Sequence, residues 1–296
     1  YLWPQLWEPN TYIRDAHWIY PGDPLIVMPK PGEAAAEAAP AAEAAPPAEP
    51  PPAAEAAVAP PVEGEGPPLV AVGSESDVYC FAYLNDNDEQ LALHLTGGEE
   101  AATRFTFSTG DIVYVSGGEA DGVSAGQEYF VIRPGDQLRH PATGARIGQI
   151  MLYQGHLRIL CTTDHGATAE LLSSCDAIVV GDQLKPFEPI PIPMAVMTPP
   201  STRCDPLNDK ARGYIVYNKD GLEAFGDDQV VLFDLGEADQ VSPGTLCNIY
   251  RENPAPDIPR LLLGELAVLV TGDHWATGKV IRASQPMVVG DRVEIK

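Results

Sequence analysis

The sequence predicts a mainly β protein built around two repeated small modules, each a β-barrel or sandwich. Three observations point there. An internal repeat runs through the second half of the chain. The β-rich runs inside each copy are short, and turn residues punctuate them. With 30 Pro and 27 Gly in 296 residues, breakers are too frequent for a helical bundle or a compact α/β enzyme. The repeat has three ordered anchors. Gly118-Glu119-Ala120-Asp121 through Gly126 returns as Gly236-Glu237-Ala238-Asp239 through Gly244, identical at seven of nine positions. Asp164-His165 with Ala167-Thr168 returns as Asp273-His274 with Ala276-Thr277, and Val179-Val180-Gly181-Asp182 returns as Val288-Val289-Gly290-Asp291. Chance does not place three such matches in the same order.

Charge removes whole classes of function. Against 42 acidic residues stand 18 basic ones, a formal net charge of −24. Phosphate backbones and anionic lipid surfaces are held by Lys and Arg, so neither nucleic acid nor an anionic membrane surface is an expected partner. The longest apolar stretch, Leu261–Val270, is short and interrupted by Glu265, so no membrane span is expected. The five cysteines, Cys80, Cys161, Cys175, Cys204 and Cys247, include no C-x-x-C pair. Cys161 and Cys175 flank a turn and are the one pair read as able to form a disulfide. The simpler expectation for most of the five is small buried apolar groups.

Along the chain, residues 1–29 come first. Trp3, Leu6 and Trp7 lie at helical spacing behind Pro4, and Asn10 ends that short helix. A loop leads to Trp18-Ile19-Tyr20, Pro21-Gly22-Asp23 makes a turn, and Leu25–Met28 is an extended apolar run. The set Trp3-Pro4, Trp7-Glu8, Asn10, Ile13, His17 through Asp23 and Leu25 resembles the second half of a LysM domain. The first strand and first helix of such a domain, with their G-D-T-L-W opening, are not in the sequence. The resemblance implies an α+β fold that binds N-acetylglucosamine glycans, chiefly peptidoglycan, in a shallow groove. It assigns Asn10, Thr11, Ile13, Trp18, Ile19 and Tyr20 to the glycan-binding loop. It also implies that glycan binding needs the missing half. Neutral sugars are held by backbone hydrogen bonds and apolar contact, so an acidic protein is not at a disadvantage.

Residues 30–68 hold 15 Ala, 11 Pro and 7 Glu, with almost nothing to bury. The prolines recur too often for a stable helix, and the composition predicts a disordered, self-repelling spacer. Fully polyproline-like, it would reach roughly 120 Å at about 3.1 Å per residue.

Module 1 is expected over 69–185 and module 2 over 206–296, each closing its own core. Pro186–Pro206, with seven prolines, predicts a linker over 186–205. Within the copies, strands are expected over 111–116 and 229–233, 127–133 and 245–251, 146–153 and 261–270, and 167–174 and 276–284. Leu157, Ile159 and Cys161 alternate as in a half-buried strand. The modules are similar, more faintly, to the C-terminal domain of flagellar assembly protein T. The points of likeness are Gly118–Gly126 and Gly236–Gly244, the His140-Pro141-Ala142-Thr143-Gly144 run, and the closing Val-Gly-Asp triplets. That likeness implies a β domain used for envelope assembly contacts. The second copy has Pro254 through Pro259 in place of the His140–Gly144 run.

The repeated Asp-His pairs invite a metal or acid–base role, but no third ligand stands at a suitable spacing in both copies. They are read as turn-formers, with the Asp side chain capping backbone amides, and Gly181-Asp182 and Gly290-Asp291 as turn starts. Phosphate loops, dinucleotide fingerprints, zincin helices and nucleophile elbows are missing from the sequence. No catalytic residue, metal site or cofactor is expected, and no enzyme. The expectation is an exported protein of the bacterial periplasm or cell envelope that tethers two β modules to peptidoglycan strands. The alternative is an envelope assembly or scaffold protein whose β modules bind a protein partner, the LysM part being degenerate. Because the sequence starts at Tyr1, a signal peptide is not read from it.

Overall fold

A computed structural model describes residues 68–99, 104–206, 208–255 and 258–296. The LysM-like segment and the Ala/Pro/Glu stretch up to residue 67 lie outside the described residues. What is described is mainly β, as the repeat and the turn chemistry predict.

The strands of the first copy are β3 (Leu95–Gly98), β4 (Thr106–Phe107), β5 (Ile112–Val115), β6 (Glu128–Arg139), β7 (Arg146–Thr162), β8 (Ala167–Ser174), β9 (Ile178–Val179) and β10 (Gln183–Pro186). Ahead of them come β1 (Leu69–Ala71), the short helix α1 (Glu75–Tyr79) and β2 (Ala82–Asn85). Then follow β11 (Met194–Val196) and the second copy: β12 (Arg212–Asn218), β13 (Val230–Phe233), β14 (Leu246–Arg251), β15 (Leu261–Thr271), β16 (Ala276–Ala283) and β17 (Arg292–Ile295).

Module 2 is a closed six-stranded barrel in the order β12-β13-β16-β15-β14-β17. Module 1 follows the same path, β3-β5-β8-β7-β6-β10, with β2 added beside β7. Its seam is joined by a bridge between His94 and Gln183 and by Leu95 N–H to Asp182 O at 2.8 Å. The expected strands all form. The run 146–153 and the alternating run beyond it are one long strand, β7. In β8, Ala167, Ala169 and Leu171 face the core while Thr168 and Glu170 face away, the period of two that a half-buried strand requires.

The two barrels share four irregularities at equivalent positions. Register shifts fall at Leu95/Gly97 and Ile215/Tyr217, at Val131/Ile132 and Ile249/Tyr250, at His156/Leu157 and Glu265/Leu266, and at Ile159/Cys161 and Val268/Val270. A bulge bends a strand and strengthens its twist, which a small barrel needs in order to close. Each barrel has its own core, with Phe107, Val123 and Ile178 of one corresponding to Phe225, Val241 and Met287 of the other. Gly118 and Gly236 start equivalent turns. A Cβ there would come within 2.1 Å of Thr163 O and 2.4 Å of Gly272 O, so backbone packing demands glycine in both copies.

The copies do not stand apart as the composition suggests. A third apolar cluster joins Phe81, Tyr83, Ile150 and Tyr153 of module 1 to Val216, Leu232 and Trp275 of module 2. The stretch expected as a linker contributes β11, which pairs antiparallel with β1, and Val72 and Ala195 cover Leu246, Ala267 and Leu269 on the outside of barrel two. α1, capped by a Ser74/Asp77 box, is fastened to barrel two by Lys279 Nζ, 2.9 Å from Asp77 Oδ2. Among the described residues no helix is long and apolar enough to cross a membrane.

Candidate functional site

The glycan-binding residues that the LysM resemblance assigns, Asn10, Thr11, Ile13, Trp18, Ile19 and Tyr20, lie outside the described residues. The repeated residues are all described, and they build equivalent turns. Asp121 and Asp239 accept the Gly118 and Gly236 amides, each at 3.1 Å. Thr162 and Thr271 donate to Glu119 and Glu237, each at 3.0 Å. The main-chain carbonyls of Asp164 and Asp273 accept the Ala120 and Ala238 amides. The side chains that cap amides here are those of Asp121 and Asp239, at the Gly118 and Gly236 turns; among the described residues none of the expected capping comes from the Asp164 or Asp273 side chain. His165 and His274 sit in the same two hairpin turns. Among the described residues no group of three or more His, Cys, Asp or Glu gathers as a metal site would require.

Asp182 and Asp291 do more than start turns. Both are buried, and each receives a two-pronged arginine: Arg133 at 2.8 and 2.7 Å, Arg251 at 2.7 and 2.8 Å. The same carboxylates accept the Val179 and Val288 amides at 2.8 Å. A buried carboxylate with its lone pairs filled in this way pins the turn before the last strand of each barrel to the neighbouring strand, β6 or β14.

The cysteine pairing differs from the expected one. Cys175 is bonded to Cys80, and Cys161 is a free, exposed thiol. Register explains it: Cys161 lies opposite Thr168, whereas Cys175 follows the Gly155–Ser174 pair at the other end of the hairpin. Cys204 is also free and exposed, so burial as small apolar groups holds for Cys247, whose thiol is pushed up to about 12 by desolvation.

Beside the disulfide lies a cleft of about 420 Å³. Its floor is aromatic: the Phe187 and His156 rings stack at 4.0 Å, Phe130 and Phe187 are 4.7 Å apart, and Tyr79 stands 6.0 Å from Phe187. Glu75, Ser76 and Ser173 supply the polar rim, with Cys80 and Gly155 between. The walls are rigid for clear reasons. Tyr79 Oη donates to Ile190 O at 3.0 Å and accepts the Ile190 amide at 2.9 Å. The disulfide ties the end of α1 to the end of β8. His156 Nε2 lies 3.0 Å from Glu128 Oε2, off the line of a hydrogen bond. Burial outweighs that carboxylate and lowers the His156 pKa, favouring the neutral ring. A preformed, mostly apolar pocket with a sparse polar rim is the usual shape of a binding site.

Barrel two carries a different chemistry at the same place. In register, Phe130, His156 and Phe187 correspond to Asn248, Glu265 and Lys296. There the chain itself is held over the seat by its backbone, with Pro199 and Pro200 exposed: Ser201 N–H donates to Glu265 Oε1 at 3.0 Å, and Lys296 Nζ donates to Pro199 O at 2.6 Å. In barrel one the chain leading into the barrel forms α1, which walls the seat without filling it.

Sequence reasoning missed this cleft because its residues are not shared by the two copies. Phe187 fell inside the Pro-rich run. The signal that reaches it is the repeat itself, since Gln183–Phe187 aligns with Arg292–Lys296 behind the Val-Gly-Asp triplet. No family model matches the chain, and no curated protein matches it.

Proposed function

We propose that this is a noncatalytic protein of the bacterial cell envelope, binding peptidoglycan through its N-terminal segment and presenting a two-barrel β body. The observation that carries the reading is the run Trp18-Ile19-Tyr20-Pro21-Gly22-Asp23 with Trp3, Trp7 and Asn10 before it, the pattern of the second half of a LysM domain. Its aromatic groups suit the apolar faces of N-acetylated sugars, and a neutral glycan is indifferent to the −24 net charge. The Cys80–Cys175 disulfide supports an oxidising compartment, where such bonds persist. Cosedimentation of the full-length protein with purified sacculi tests the binding. Thiol trapping in intact cells tests the compartment: the pair should be oxidised in protein recovered from the envelope.

A second reading, an assembly protein whose β body binds a protein partner, is favoured by one observation. The aromatic cleft of barrel one is preformed and open, whereas its counterpart on barrel two is covered by Pro199–Ser201.

A further inference from the structure

We propose that the cleft over Phe130, His156 and Phe187 is a docking groove for a proline-rich, extended segment of a partner protein. The inference concerns the β body alone and stands whether or not residues 1–29 hold a glycan.

The occupant is read from the other barrel. At the equivalent position on barrel two, Pro199–Ser201 of the chain itself lies on the seat, held by Lys296 on a proline carbonyl and by Glu265 on the next amide but one. The fold therefore already uses this face to seat a proline-containing stretch outside regular structure. In barrel one the two gripping charges are replaced by His156 and Phe187, and Asn248 by Phe130. A covalently attached segment arrives at high effective concentration and is fixed by two polar contacts. A segment supplied by another chain must bring its own affinity, and stacked aromatic rings provide it. Proline rings pack flat on aromatic faces, and a polyproline segment is ordered before it binds, so little entropy is lost. Its carbonyls have no internal partners and can accept from Ser76 or Ser173 at the rim. Glu75 on the same rim favours a cationic residue flanking the prolines.

The test titrates the full-length protein with a fluorescein-labelled proline-rich peptide carrying one arginine and follows anisotropy. Its counterpart with alanine for proline is the control. The peptide should bind saturably, and the control at least about tenfold more weakly. Ser173→Trp, at an exposed position, fills the cleft from the rim and should weaken binding at least about tenfold with the melting transition kept. Phe187→Ala should do the same by removing the floor. Failure of the proline-rich peptide to bind overturns the proposal. So does equal binding of the control, which would make the cleft a general apolar site, or unchanged binding by Ser173→Trp, which would place the peptide elsewhere.

Discussion

His140 Nε2 lies 2.8 Å from Asp234 Oδ2, joining the β6–β7 hairpin of barrel one to the end of β13 in barrel two. The imidazole is fixed by its other nitrogen, since Nδ1 accepts the Ala142 and Thr143 amides at 3.1 and 3.2 Å. A ring that accepts at Nδ1 carries its proton on Nε2, the atom that faces Asp234. The edge of the ring also meets Tyr214, at 4.9 Å. The His140–Gly144 run, present in one copy only, is therefore an arm by which the first barrel fastens the second.

His140→Ala should cost roughly 1–2 kcal/mol, because it removes the contact to Asp234 and strands two turn amides. Urea denaturation of the variant against wild type measures this. An unchanged midpoint would mean that the arm contributes no stability.

The shared cluster predicts that both barrels unfold together. Trp275 is buried against Tyr83 across the junction, where barrel one has Gly166 at the matching turn position. Trp275→Ala should cost about 3–5 kcal/mol, the range for deleting a large buried aromatic. Calorimetry of the wild type should show one transition for the β body. Two well-separated transitions would contradict the shared core.

Much of this architecture is legible in the sequence, and the reasons for the rest are physical. Turns carry the repeat, because Gly118, Gly236, Asp182 and Asp291 meet backbone constraints that few residues satisfy. The strands between them have diverged, since any apolar residue of suitable size fills an inward position: Ile178 and Met287 do the same work. The long-range pairings are invisible in the same way. Nothing local ties Cys80 to Cys175, 95 residues apart, or Tyr79 to Ile190. The glycan contacts proposed between Asn10 and Tyr20 rest on resemblance alone.

Removing the disulfide should be felt where removing a neighbouring thiol is not. Cys80→Ser with Cys175→Ser should lose about 4–5 kcal/mol by the chain-entropy account, for a cross-link between residues 95 apart. Cys161→Ser should leave the melting temperature and the disulfide intact, as read by mass spectrometry under non-reducing conditions. Loss of the cross-link in Cys161→Ser would overturn the assigned pairing.

Acid should loosen α1 from barrel two. Burial alone would raise the Asp77 pKa, but the Lys279 ammonium and the Ser74 amide and hydroxyl outweigh it and hold the carboxyl below its ordinary 3.8. A depressed folded-state pKa gives stability that is complete above the unfolded value. It fades as pH falls below about 4, through the folded value. Asp77→Asn should therefore flatten that acid limb of the stability profile. It should also destabilise the protein at neutral pH, where Lys279 loses the nearer of its two carboxylate partners and keeps Asp228 at 3.5 Å. A limb as steep in the variant as in the wild type would assign the acid sensitivity to other carboxylates.

The proposed peptidoglycan binding places the glycan contacts between Asn10 and Tyr20. Cosedimentation with purified sacculi, using the chain extended by the first half of the LysM domain beside its Trp18→Ala and Ser173→Trp variants, is the direct test. Wild type and Ser173→Trp should pellet alike, and Trp18→Ala should remain largely in the supernatant with its melting transition unchanged. Wild type left in the supernatant, or Trp18→Ala pelleting as fully as wild type, would contradict the claim.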